Sequence, residues 1–233
     1  MTSAVDHEIV GHRLCPYVQR VVIAMREHGL PFKRRDIDLD ERPNWLFDIS
    51  PTGKVPLLRV PGGTWLFDSA VICRYLDTVS GGELLASDPL ERARQEAWMS
   101  FADDMLATVA KMIYRDADAV ALAASMEDLA GSLQSVGYRF PPMPWFAGQE
   151  FGLADAVFAT LFRYFPVLDA GENRLIADAL PASLCDWWQM ARRRASVSSA
   201  VPASYDAELR QFIREKESHL GRVLADGHGR LTG

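Results

Sequence analysis

The rhythm of apolar positions along the chain changes near residue 80. Before it, short strand-like runs alternate with short helical ones. Residues 8–11 predict a strand. Pro16 stands where a helix can begin, because proline is tolerated at the first helical position. Val18, Val21, Val22 and Met25 follow at helical spacing as far as His28, and Gly29 is a suitable stop. Residues 32–39 alternate charged and apolar side chains as a strand does, 43–49 predict a helix, and 50–54 a loop. Residues 55–60 read as a third strand, Pro61, Gly62 and Gly63 as a tight turn, and 64–67 as its hairpin partner. A helix over 68–79 opens on an acidic residue.

The resulting order, β-α-β-α-β-β-α, resembles a thioredoxin-like domain. Residues 80–89 hold two consecutive glycines, two serines and a proline, and read as a linker. The expected division is therefore 1–80, a linker at 81–89, and 90–233. Beyond the linker helical spacing takes over. Residues 90–124 contain neither proline nor glycine and predict one long helix or two closely joined ones; 126–136 continue the pattern before the irregular stretch 138–149. Further helices are expected over 153–168, 182–194 and 205–224. The fold class is α/β plus all-α, a thioredoxin-like amino-terminal domain followed by an all-helical carboxy-terminal one.

At 233 residues and 48% hydrophobic content, the chain can bury one large core or two modest ones. A net charge of −6 argues against nucleic acid as a partner, since a polyanion requires a concentrated basic surface. The basic run Arg192, Arg193, Arg194 ends a predicted helix, where it complements the dipole. No uncharged segment approaches the roughly 20 residues needed to cross a bilayer, and residues 1–10 lack a basic start followed by an apolar stretch. Cytoplasmic residence without a membrane partner is the expectation. The three cysteines show neither metal-ligand spacing nor a disulfide framework, so no metal is expected and each thiol is judged alone.

Cys15 falls where a strand ends and a helix begins. The first N–H groups of a helix lack intrahelical partners and favour a thiolate. Taken alone, a cysteine there can equally be a small buried residue. Position 18 is valine, so an internal two-cysteine redox cycle is unavailable and disulfide chemistry must recruit an outside thiol. Cys73, among Val71, Ile72 and Leu76, and Cys185, just before Trp187 and Trp188, are expected in the core.

Three segments in this order, LCPYVQRVVIAMREHGLPF, SPTGKVPLL and FDSAVICRYLD, resemble the amino-terminal domain of the glutathione transferase superfamily. The likeness is strongest to its cysteine-type branch, the omega and lambda transferases and dehydroascorbate reductases, which carry a C-P-aromatic segment. It covers roughly residues 12–76. The resemblance implies glutathione as cosubstrate and a cis Pro56, with the Val55 backbone pairing with the cysteinyl part of glutathione like an added strand. It implies that Asp68 and Ser69, at a helix start, take the γ-glutamyl ammonium and carboxylate. Arg42 or Lys54 would meet the glycyl carboxylate, and Tyr17 would lie beside the bound thiol.

In the helical part, FGLADAVF resembles the family's capping box, with Gly152 in place of the hydroxyl residue and Asp155 three residues on. The acceptor would bind between the domains, facing Cys15, with Trp98, Met99, Met105, Met112 and Tyr114 as candidates whose spacing suits a core equally well. The implied activity is thiol transfer through a Cys15–glutathione mixed disulfide, to an unidentified small-molecule or mixed-disulfide substrate, by a homodimer. A conjugating or isomerising transferase and a non-enzymatic interaction protein are the alternatives.

Overall fold

The computed structural model describes residues 7–38, 41–169 and 175–226. Its first part follows the predicted order: β1 (His7–Gly11), α1 (Pro16–Glu27), β2 (Phe32–Asp36), α2 (Trp45–Ile49), β3 (Leu57–Arg59), β4 (Trp65–Phe67) and α3 (Ser69–Val79). The strands form one sheet in the order β2-β1-β3-β4, with β1 parallel to β2 and antiparallel to β3, and β3 antiparallel to β4. This is a thioredoxin-like domain. The strand predicted over 32–39 ends at Asp36, where the Ile37 N–H turns back to the Gly11 carbonyl at 2.9 Å; Leu39 lies outside the described residues. The third strand starts only at Leu57, because Pro56 has no N–H to give to a ladder.

Twelve helices appear in the described residues, and the later ones form the second, helical domain: α4 (Pro89–Tyr114), α5 (Ala119–Arg139), α6 (Leu153–Phe162), α7 (Phe165–Leu168), α8 (Leu175–Ala179), α9 (Ala182–Ala191), α10 (Ala195–Ser198), α11 (Tyr205–Arg214) and α12 (His219–Asp226). The proline-free run 90–124 holds two helices. Asp118 caps the second by accepting the Ala121 N–H at 2.9 Å, and that helix absorbs all of 126–136. The helices expected over 153–168 and 205–224 each divide in two, and the one expected over 182–194 ends at Ala191. Pro166 sits in the first turn of α7, and Ser218 caps the final helix by accepting the Gly221 N–H at 3.1 Å. Helix α8 had no periodic signal; its first N–H groups go to the Asp169 carboxylate, Ile176 at 3.0 Å and Ala177 at 2.7 Å.

Two helices organise the core. In α1 every residue from Val18 to Met25 is buried, because one side meets α3 and the sheet while the other meets α6 and α10. Each fully buried aliphatic side chain contributes about 1.5–3 kcal/mol. Helix α6 is buried along its whole length. Asp155 anchors its start by accepting from the N–H groups of Gly152 (3.0 Å) and Phe146 (2.9 Å) and from Trp187 Nε1 (2.7 Å). Burial pushes the Asp155 carboxyl up to about 6, and these donors work against that shift. No helix of the described residues is long and apolar enough to cross a membrane.

Candidate functional site

Cys15 is the N-cap of α1, with φ −68° and ψ 121°, followed by Pro16 at the first helical position. Its N–H donates to the His12 carbonyl at 3.0 Å, and its carbonyl accepts the first helical bond, from Gln19 N–H at 3.1 Å. Burial is the larger influence on the thiol and pushes its pKa up; the Val18 and Tyr17 N–H groups, then Arg20 and Arg34, pull it down. The expected helix-start effect is therefore present but outweighed. In the ligand-free chain the proton stays on sulfur more firmly than in an ordinary cysteine.

The loop before Cys15 is held from behind. Gln19 Nε2 donates to the Leu14 carbonyl at 3.2 Å, and Gln19 Oε1 accepts from the Arg163 guanidinium, at the end of α6, at 2.6 Å. At the next position of α1, the buried Arg20 grips the Asp103 carboxylate of α4 with both terminal nitrogens, one of them at 3.1 Å, and its guanidinium lies 4.9 Å from the centre of the Tyr17 ring. Both domains thus fix the position of the sulfur.

Cys15 opens onto a cleft of about 780 Å³ between the domains. Every site residue anticipated from the sequence lines it: Cys15, Tyr17, Arg42, Lys54, Val55, Pro56, Asp68 and Ser69. The Val55–Pro56 bond is cis. Among the described residues no hydrogen bond engages the Val55 backbone, and Val55, two residues before β3, lines the cleft. Gly53 has φ +61°, and an added Cβ there would stand 2.4 Å from the Phe47 ring, so only glycine fits the turn that presents Lys54 and Val55. The Arg42 guanidinium approaches the Gly53 carbonyl at 3.5 Å.

At the other end of this wall, Asp68 caps α3. One carboxylate oxygen accepts the Ala70 N–H at 3.0 Å and the Val71 N–H at 3.1 Å, from a backbone at φ +70°. Ser69 is buried beneath it. A carboxylate, a hydroxyl and a helix start form one end of the wall, and two cations the other. That pattern suits a ligand with an ammonium and a carboxylate at one end and a second carboxylate at the other.

Apart from Tyr114, the facing wall was not anticipated. It comprises His12 of the β1–α1 loop, Asp103 and Tyr114 of α4, Phe212 of α11, and Lys216 just beyond. Phe212 lies 5.7 Å from the His12 ring and 6.2 Å, edge-on, from the Tyr114 ring. Burial lowers the His12 pKa, in keeping with an Nδ1 that accepts the Leu14 N–H at 3.3 Å. Of the acceptor candidates proposed from spacing, only Tyr114 reaches the cleft. Met99, Met105 and Met112 are core residues, and Trp98 packs away from it against Phe140 and Phe146.

Cys73 is buried as expected, its thiol pushed up to about 12 by burial. Cys185 is exposed, contrary to expectation: the buried face of α9 is Leu184, Trp187 and Ala191, and position 185 turns away from it. Among the described residues no cluster of His, Cys, Asp or Glu could hold a metal ion.

A thioredoxin-like domain joined to a helical one, with a cleft between them, is the architecture of the glutathione transferase fold. Sequence comparison agrees. The model for "Glutathione S-transferase, N-terminal domain" matches residues 14–79, and that for "Glutathione S-transferase, C-terminal domain" matches residues 102–195. The chain belongs to the glutathione transferase superfamily. It is 27% identical over 167 residues to glutathione S-transferase omega-1 of Sus scrofa, covering 70% of this chain and 69% of that one. It is also 27% identical over 204 residues to glutathione S-transferase U19 of Arabidopsis thaliana, covering 84% and 92%. A Tau class glutathione S-transferase from mango, Mangifera indica, superposes with a TM-score of 0.77 at 20% identity, over 91% of this chain and 100% of that one, a likeness of fold.

Proposed function

We propose that the chain is a glutathione-dependent thiol transferase in which Cys15 forms a mixed disulfide with glutathione. The observation that carries this reading is the position of Cys15: it is the one cysteine among the described residues to line the cleft, with the Tyr17 and Val18 N–H groups acting on its sulfur. The Val55 edge takes the cysteinyl backbone of glutathione, Asp68 its ammonium, Ser69 and the α3 start its γ-glutamyl carboxylate, and Arg42 or Lys54 its glycyl carboxylate. Tyr17 flanks the sulfurs.

The Cys15 thiolate attacks the glutathionyl sulfur of a mixed disulfide. A bond forms between Cys15 and glutathione, and the acceptor thiolate leaves. A second glutathione thiolate then attacks the Cys15 adduct, releasing glutathione disulfide and restoring Cys15. In sum the mixed disulfide and one free glutathione become the acceptor thiol and glutathione disulfide, and the leaving thiolate takes up the proton that the attacking glutathione gave up.

The raised thiol pKa supports a second reading, a conjugating transferase in which Cys15 keeps its proton and donates it as a hydrogen bond to glutathione's own thiolate. Cys15→Ser separates the two. Thiol transfer predicts that this variant binds glutathione but no longer turns over a glutathione mixed disulfide, because an alcohol cannot form the adduct. Wild-type turnover by Cys15→Ser would refute the proposal. Incubation with oxidised glutathione adds one glutathionyl group at Cys15, located by peptide mass spectrometry in a Cys185→Ser background because Cys185 is exposed. Without ligand, the alkylation of Cys15 by iodoacetamide reaches its half-maximal rate at a pH above that of a free cysteine.

A further inference from the structure

Opposite the wall that answers glutathione, the cleft carries a cation that the tripeptide does not require. On the glutathione reading, which this inference deepens, the tripeptide brings two carboxylates and one ammonium, and the amino-terminal wall answers all three. Arg20 is engaged by Asp103. Lys216, on the opposite wall, makes no ion pair among the described residues, and its Nζ lies 4.2 Å from the centre of the Phe212 ring. It is half-buried at the edge of the aromatic group formed by Phe212, Tyr114 and His12, and all four side chains face the cleft that holds Cys15.

The carboxylates nearby do not neutralise it. Asp103 is occupied by Arg20, Asp68 caps α3, and Asp38 lies on the amino-terminal side, where its charge acts on His12. His12 itself is held toward its neutral form by burial and supplies a ring face rather than a charge. The wall therefore offers flat apolar surface with a single cation at its rim.

We propose that Lys216 determines acceptor specificity: the preferred partner of glutathione in this cleft is a planar aromatic group bearing a carboxylate. The ring packs on Phe212 and Tyr114, and the carboxylate takes Lys216 Nζ. A neutral aromatic acceptor gains the first contact but lacks the second.

The test uses two non-reactive conjugates on the full chain, S-(4-carboxybenzyl)glutathione and its uncharged isostere S-(4-carbamoylbenzyl)glutathione, with affinities measured by calorimetry. Each value is referred to that of unmodified glutathione on the same protein. The wild type should prefer the carboxylate by about tenfold, the size of one good charge-assisted contact. Lys216→Gln should bring the two conjugates to parity, Lys216→Arg should keep most of the preference, and Lys216→Glu should invert it. Equal binding of both conjugates by the wild type, or a preference that survives in Lys216→Gln, overturns the proposal alone. Loss of unmodified glutathione binding in Lys216→Gln with the conjugate ratio intact also overturns it, since Lys216 would then serve the glycyl carboxylate. If the wild type binds neither conjugate nor glutathione, the glutathione reading falls and takes this proposal with it.

Discussion

Asp68 answers two demands with one side chain. One oxygen closes α3 through the Ala70 and Val71 N–H groups, the other stays available to the cleft, and the backbone sits at φ +70°, where aspartate and asparagine are tolerated better than most residues. Asp68→Ala would therefore mix effects: a lost cap of about 1 kcal/mol, a further cost of about 1 kcal/mol for alanine at positive φ, and a lost ligand contact. Asp68→Asn isolates the charge. Because Asp68 is exposed, its ion pair is worth only about 1 kcal/mol, so Asp68→Asn should weaken glutathione binding about fivefold by calorimetry and leave the melting temperature in place, while Asp68→Ala lowers both. Unchanged affinity in Asp68→Asn would remove Asp68 from the ammonium site. At this scale the amino-terminal wall was readable because its residues, Arg42 apart, sit in three short segments. His12, Asp103, Phe212 and Lys216 were not, because they converge from distant parts of the chain. The Arg20–Asp103 pair spans 83 positions, which no local spacing reveals.

Helix α6 shows why a capping pattern seen in sequence can be misjudged. Glycine at 152 reads as a weaker substitute for a hydroxyl cap, at a cost of a few tenths of a kcal/mol. The structure gives glycine another purpose: a Cβ there would lie 2.5 Å from Ala147 Cβ and 2.8 Å from the Leu84 carbonyl oxygen, while the Leu153 N–H donates to that same carbonyl at 3.0 Å. The segment after α3 passes too close for any side chain. Gly152→Ser, a better cap on paper, should accordingly destabilise the protein by about 1–3 kcal/mol in urea unfolding; a gain in stability would show that the Leu84 segment yields and the cap prevails. Helix existence was legible from periodicity, whereas helix ends were not. The breaks at Arg115–Asp118 and Glu215–Ser218 depend on side-chain caps, Asp118 and Ser218, that periodicity passes over.

For the molecule as a whole, the exposed apolar surface bears on assembly. Phe67 at the end of β4 is 49% exposed and Val71 in the first turn of α3 is 45% exposed, a costly pair to leave in water. A homodimer covering them is the expected state, with a light-scattering mass near twice the 26.0 kDa of one chain; a monomer at micromolar concentration would contradict it. Helix α1 adds a constraint of a different kind. Two polar side chains on this helix, Gln19 and Arg20, each have a charged partner, Arg163 and Asp103, in the helical domain. A chimaera that grafts another relative's helical half onto this amino-terminal half must bring an arginine and an aspartate to those same two points. Otherwise it leaves a buried amide and a buried guanidinium stranded directly behind the sulfur. Recombination between relatives is thereby filtered: the acceptor wall is free to diversify, but only in partners that keep both fastenings of the helix that carries the thiol.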